Sequence, residues 1–76
     1  MIRAYTAIIT GSGMSSDVVE AIRELQTVTE AHIVAGDFDI IAEIEADDQY
    51  EIQKTVTSGI GSIPGVGRTR TYVLLD

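Results

Sequence analysis

Val28-Thr29-Glu30-Ala31-His32-Ile33-Val34-Ala35-Gly36-Asp37-Phe38-Asp39-Ile40-Ile41-Ala42-Glu43-Ile44-Glu45-Ala46 is the stretch that decides the fold. Residues 28–35 and 38–46 are rich in Val, Ile and Thr and read as two strands. Gly36-Asp37 between them is a short turn signal, so the two strands form a hairpin. Working outward, each strand is flanked by a helical pattern. On the N-terminal side, Val18, Ile22 and Leu25 recur at i, i+4 and i+7, one apolar stripe of a helix. Ser15, Ser16 and Asp17 offer caps for it, and Asp17 with Glu20 makes a capping-box pattern. On the C-terminal side, Asp48 and Glu51 repeat that pattern, and Ile52, Val56, Ile60 and Ile63 give a second stripe. Pro64-Gly65 stops it.

The outermost segments are again strand-like: residues 2–10, ended by Gly11-Ser12-Gly13, and residues 66–75. The order is strand, helix, strand, twice over. Two such units joined by a hairpin predict an α+β, ferredoxin-like βαββαβ sandwich: one four-stranded antiparallel sheet with both helices on one face. Helices on one face leave the other bare. Adjacent apolar pairs, Ile8-Ile9, Ile40-Ile41 and Leu74-Leu75, place apolar residues on both faces, so the bare face is expected to be apolar and to pair with another copy.

The chain has 76 residues and no cysteine. That is one domain, with a core made of Ile, Val, Leu and Ala, since there is one Phe and no Trp. A chain of this size buries only about 60% of its unfolded surface. Without disulfides, oligomerisation is the remaining staple. Twelve acids against five Lys and Arg give a net charge of −7. Such a chain repels nucleic acid, whose affinity for proteins comes from Lys and Arg displacing counterions. Four of the five basic residues are Arg, and Lys54 is the single Lys. This halophile-like acidic balance fits a salt-rich interior or an ordinary acidic domain. No run approaches the ~20 apolar residues of a membrane span. Met1 leads straight into strand sequence, with no signal peptide pattern, and a cytoplasmic protein without membrane contact is expected.

Residues able to carry chemistry are few. His32 is the only His, with no Cys to complete a metal site, so no metal and no cofactor is expected. No nucleophile elbow is present. Gly11-Ser12-Gly13 lacks the third glycine of a dinucleotide loop. No catalytic residue is assigned, and the chain is read as a non-enzyme. Asp37 and Asp39, two apart, either serve the turn or supply an anion beside the open backbone at Gly36. Backbone N–H donors with a nearby anion are what an amino-acid zwitterion requires. Gly59 and Gly61 sit where a helix prefers bulkier residues, so either a ligand or a neighbouring subunit approaches that backbone or the helix end frays. Arg68 and Arg70 share one side of the last strand, to bind an anion or to pair with Glu43 and Glu45.

Glu30-Ala31-His32-Ile33-Val34-Ala35-Gly36-Asp37-Phe38-Asp39 resembles the hairpin signature of the Lrp/AsnC effector domain, the RAM domain (regulation of amino acid metabolism). Ile63-Pro64-Gly65-Val66 with Thr69-Arg70-Thr71-Tyr72-Val73 resembles its last-strand signature. The two motifs total about twenty residues, and the resemblance covers essentially the whole chain. It implies dimers formed through the sheets, assembly of dimers into rings, often octamers, and a free amino acid effector bound between dimers near the hairpin turn. By motif match, Gly36, Asp37, Phe38 and Asp39 fall in that turn. Ile33, Tyr72, Val73 and Leu74 match positions on which the effector response depends, the last three through packing between subunits. Full-length members carry a DNA-binding winged helix-turn-helix. Here the sequence begins at the first strand, so a stand-alone sensing module is expected, modulating transcription of amino acid metabolism through effector binding or through mixed assembly with full-length Lrp/AsnC regulators, and not binding DNA directly. Three other readings stay open: an ACT-like ligand module, a small dimeric monooxygenase-like enzyme with His32 in its cavity, and a pure scaffold that only co-assembles with full-length regulators.

Overall fold

A computed structural model describes all residues, 1–76. Four strands, β1 (Ile2–Thr10), β2 (Val28–Ile33), β3 (Ile40–Ala46) and β4 (Val66–Val73), form one antiparallel sheet in the order β2-β3-β1-β4. Helix α1 (Ser15–Arg23) links β1 to β2, and α2, starting at Gln49–Lys54, links β3 to β4. This is the ferredoxin-like arrangement expected of two βαβ halves. Ile8 pairs with Ile40 and Ala4 with Ile44 between β1 and β3. Ile33 pairs with Ile40 between β2 and β3, and Tyr5 with Tyr72 between β1 and β4.

The core lies between sheet and helices. Ile8, Ile40 and Ile44 from the sheet meet Val18 and Ile22 of α1 and Ile52 of α2, all 2% exposed or less. Each such isoleucine contributes roughly 1.5–3 kcal/mol on burial. Small residues on the same face, Ala4, Ala31, Ala42 and Ala46, let the helices sit close to the sheet. The one polar group at the centre of the sheet, Thr6, is satisfied by Thr71 Oγ1 across the β1–β4 pair at 3.0 Å.

The helix starts differ. Asp48 caps α2 as expected: its Oδ1 accepts from Glu51 N–H at 2.9 Å, and Glu51 Oε1 accepts from Asp47 N–H at 3.2 Å. The Asp17–Glu20 capping box does not form. Helix α1 begins one turn earlier, capped by Met14 without a side-chain bond, and Asp17 lies inside its first turn. Ser15 Oγ is instead 2.7 Å from Thr10 Oγ1.

The second helix is not the regular α-helix that its stripe predicts. After Lys54 it widens into a π turn, Thr55–Gly59, and tightens into a 3-10 turn, Ile60–Ser62. Thr55-Val56-Thr57 are β-branched, and both threonine hydroxyls bond back to carbonyls four residues earlier, Thr55 to Glu51 and Thr57 to Gln53, each at 2.9 Å. Such back-bonds compete with the α-helical ladder. The wider turn brings Ile60 fully into the core while leaving Val56 half-buried. What approaches the helix backbone at Gly59 is the chain's own Leu25: a Cβ there would lie 3.2 Å from Leu25 Cδ1.

The bare sheet face is not uniformly apolar. Strand alternation puts Ala7, Ile9 and Ile41 at its middle, flanked by Tyr5 and Tyr72 and by Arg3, Glu30, His32, Glu43, Glu45 and Arg70. The expected pairing of Arg68 and Arg70 with Glu43 and Glu45 fails because β1 lies between β4 and β3. Arg3 of β1 takes that place, 2.6 Å from Glu43 and 3.6 Å from Glu45. The last strand also ends earlier than expected, leaving Leu74 and Leu75 outside it, and Leu75 is 98% exposed.

Candidate functional site

The β2–β3 connection is a six-residue loop, 34–39, longer than a two-residue turn, because β2 stops at Ile33 and β3 starts only at Ile40. Phe38 and Asp39 therefore belong to the loop. Its base is closed by Val34 N–H donating to Asp39 O at 2.8 Å, and Asp39 N–H donates to Ile8 O at 2.9 Å. The Asp39 side chain fixes the loop to β1. Its Oδ2 accepts from Thr10 N–H at 2.8 Å and from the Thr10 hydroxyl at 3.3 Å. Thr10 Oγ1 also meets Ser15 Oγ, so the chain Asp39–Thr10–Ser15 ties the hairpin loop to the start of α1. Sequence reasoning missed Thr10 and Ser15; a threonine at a strand end directly before Gly11 was the available signal.

Above this fixed base the loop is open. The amides of residues 35–38 donate to no backbone carbonyl. Ala35, Gly36 and Asp37 are exposed and Phe38 is half-exposed. A Cβ on Gly36 would meet nothing within 4 Å. Asp37 and Asp39 do not share a strand face: Asp37 is at the open tip, Asp39 at the stapled base. These amides are donors open to an anion, and Asp37 and Asp39 carry carboxylates on the same loop.

Ile33, 49% exposed, ends β2 at the foot of this loop. Tyr72, Val73 and Leu74 are not brought to it. They lie on the far side of the sheet, where Tyr72 pairs with Tyr5 and Leu74 N–H donates to Arg3 O at 2.9 Å. Tyr72 is 60% exposed on the bare face, while Val73 packs against the core. Within one chain the expected site residues thus form two groups, at opposite ends of the strands.

Three surface cavities are present, and none is at the 34–39 loop. The largest, about 340 Å³, lies between the end of α1 and α2, beside Leu25, Lys54 and Gly59. A second, about 220 Å³, lies between α2 and β4. A third, about 160 Å³, is on the bare sheet face. No group of three or more His, Asp or Glu is placed to hold a metal ion. No helix is long and apolar enough to cross a membrane. In the Arg3–Glu43 pair, hydrogen bonds from Arg3 and then Thr29 hold the Glu43 carboxyl below its usual range, and Glu43 in turn raises Arg3.

Comparison with known proteins gives a consistent picture. The sequence profile of the Lrp/AsnC ligand binding domain matches residues 3–76. The leucine-responsive regulatory protein of Haemophilus influenzae is 38% identical over 56 residues, 74% of this chain and 34% of that protein. The chain spans about a third of the length of the curated regulators it matches. A crystal structure from Thermus thermophilus superposes with a TM-score of 0.96 at 36% identity, covering 100% of this chain and 95% of that one. The L-Met complex of a transcriptional regulator from Neisseria meningitidis has the same fold, with a TM-score of 0.88 at 16% identity over 99% of this chain and 50% of that one.

Proposed function

Since the chain belongs to the Lrp/AsnC ligand binding domain family, whose curated relatives here are transcriptional regulators and not enzymes, we propose that it senses a free amino acid at the 34–39 loop and passes that signal on through self-assembly. The observation that carries this reading is the run of four unpaired amides, residues 35–38, on a loop pinned by Asp39 to Thr10. The amides receive the effector carboxylate, and Asp39 or Asp37 receives its ammonium. A fold-level neighbour was crystallised with L-methionine, which supports an amino acid as the ligand class.

A single chain offers no cavity at this loop. A second copy supplies the missing wall, which puts the effector at a boundary between subunits. Ile33 and Phe38 then give apolar contacts for the effector or for that neighbour. Tyr72, Val73 and Leu74, remote from the loop, act through the sheet-face dimer on which larger rings are built. Net −7 opposes direct contact with duplex DNA, so control of transcription runs through association with DNA-binding members of the family inside the cytoplasm.

A thermal-shift screen against the twenty amino acids identifies the effector, and calorimetric titration of wild type and Asp39→Asn tests the site. Asparagine keeps an oxygen for Thr10 but loses the charge. Losing a charge-assisted hydrogen bond of about 1.5–3 kcal/mol lowers affinity roughly tenfold to a hundredfold. Equal affinities remove Asp39 from the site, and absence of any hit in the screen removes the sensing role.

A further inference from the structure

The bare sheet face carries its charges in two separate groups. On the β2–β3 side, Glu43 and Glu45 are relieved by Arg3, and Glu30 has no Arg or Lys partner. On β4, Arg68 and Arg70 have no carboxylate within 4 Å in the chain. Glu30 stands directly opposite Glu43 in the β2–β3 register, a like-charge cross-strand pair that is unfavourable in isolation. Glu43 is occupied by Arg3 and Thr29. Glu30 has only His32, at 3.0 Å, and its side chain is 66% exposed. Between them lies the 160 Å³ hollow, walled by Tyr5, Glu30, His32, Ile41 and Glu43. It is a carboxylate-rich hollow with an aromatic wall, and the unpaired cations that would fill it sit two strands away on the same face.

We propose that this hollow is the seat of Arg70 from a second copy of the chain, and that this contact sets the orientation of the dimer; the inference rests on the sheet-face dimer of the preceding section. A two-fold axis in the plane between two packed sheets has two simple settings. Across the strands, it lays β4 over β4 and β2 over β2, bringing arginine to arginine and glutamate to glutamate. Along the strands, it lays β4 over β2 in both directions. Only the second setting matches opposite charges, twice by symmetry. Registers agree with it: Arg70 pairs with Ala7, Ala7 with Ile41, and Ile41 with His32, so Arg70 and His32 occupy the same row across the sheet. Arg70 of one copy then stands over the hollow of the other. Packed sheets are about 10 Å apart, a gap an arginine side chain spans. In the same setting Ala7 lies over Ile41 of the other copy, and Tyr72 lies over Glu30, the far end of its own row.

The pairing is a recognition code and has a charge-swap test. Wild type, Arg70→Glu, Glu30→Arg and the double variant are compared by native mass spectrometry and light scattering in low salt, with an equimolar mixture of the two single variants. Both positions are exposed, and recovery on mixing reports directly that the single variants fold. The expected result is a wild-type dimer, about tenfold or more weaker self-association of each single variant, heterodimers in the mixture, and recovery in the double variant. If wild type is dimeric and both single variants dimerise equally well, or if neither mixing nor the double swap recovers association, the code is overturned while the sheet-face dimer stands. A monomeric wild type at micromolar concentration overturns both.

Discussion

Arg3 and Glu43 form the best-defined ion pair in the molecule, and their acidity shifts make it measurable. The Glu43 carboxyl is held below its usual 4.5, first by the hydrogen bond from Arg3 and then by the one from Thr29. A lowered folded value means the ionised form is preferred by the fold. Its contribution is present above pH 4.5 and is lost as pH falls through the lower folded value. Replacing Arg3 with Gln should move the Glu43 midpoint upward in an NMR titration, and any stability gap between the two proteins should close on acidification. An unmoved midpoint would show that Arg3 is not the cause. Gly65 is the second residue with a sharp expectation. Its φ is +98°, and a Cβ there would lie 2.7 Å from Met14 Cε and 3.1 Å from Val18 Cγ2. Gly65→Ala should therefore destabilise by about 1–3 kcal/mol from backbone strain alone. Denaturant unfolding with an unchanged midpoint would refute this.

Elements with similar sequence signals behave differently here. Asp48 and Asp17 both precede a glutamate by three residues, yet only Asp48 caps a helix. Asp48→Ala should cost about 1 kcal/mol. Asp17→Ala should cost less, since only its favourable position near the α1 N-terminus is lost, worth about 0.3–1 kcal/mol at low salt and less in molar salt. Thermal melts of the two variants in low and high salt separate the cases; equal, salt-independent losses would contradict the assigned caps. The π turn of α2 belongs to the same scale. Its cause is local, in Thr55 and Thr57 hydroxyls that bond back along the helix, while its permission is tertiary, since Gly59 leaves room for Leu25 at the end of α1.

At the scale of the whole molecule, charge dominates. Seven unbalanced negative charges on 76 residues repel one another, and salt screens them. Melting temperature should rise from low to molar KCl, and more steeply for Arg70→Glu, which adds further negative charge to the sheet face. A flat or falling curve would reject the salt-adapted reading of the composition. The edges of the sheet are managed within the same frame: Arg23 Nε and Nη2 both donate to Ala31 O on the outer strand β2, at 3.0 and 2.8 Å, which removes an acceptor from further strand addition.

Element order, fold class and the hairpin's place were legible in the sequence because they rest on local periodicity. Alternating β-branched residues mark the strands, and apolar stripes mark the helices but not their ends or regularity: α1 stops at Arg23, short of Leu25, and the second stripe runs through a π turn. The Asp48–Glu51 cap was also suggested by local spacing, but spacing alone does not settle a cap: the same pattern at Asp17–Glu20 forms none, because α1 starts at Ser15. What only the tertiary structure decided depends on strand order. The sequence pairs Arg68 and Arg70 with Glu43 and Glu45 as readily as it pairs Arg3, and only the placement of β1 between β3 and β4 settles the choice for Arg3. Asp39 likewise reads as a free anion until β1 brings Thr10, 29 residues away, to its carboxylate. Ion pairs and staples between residues far apart in sequence carry no periodic signal; they exist because the chain, once folded, sets two distant strands side by side.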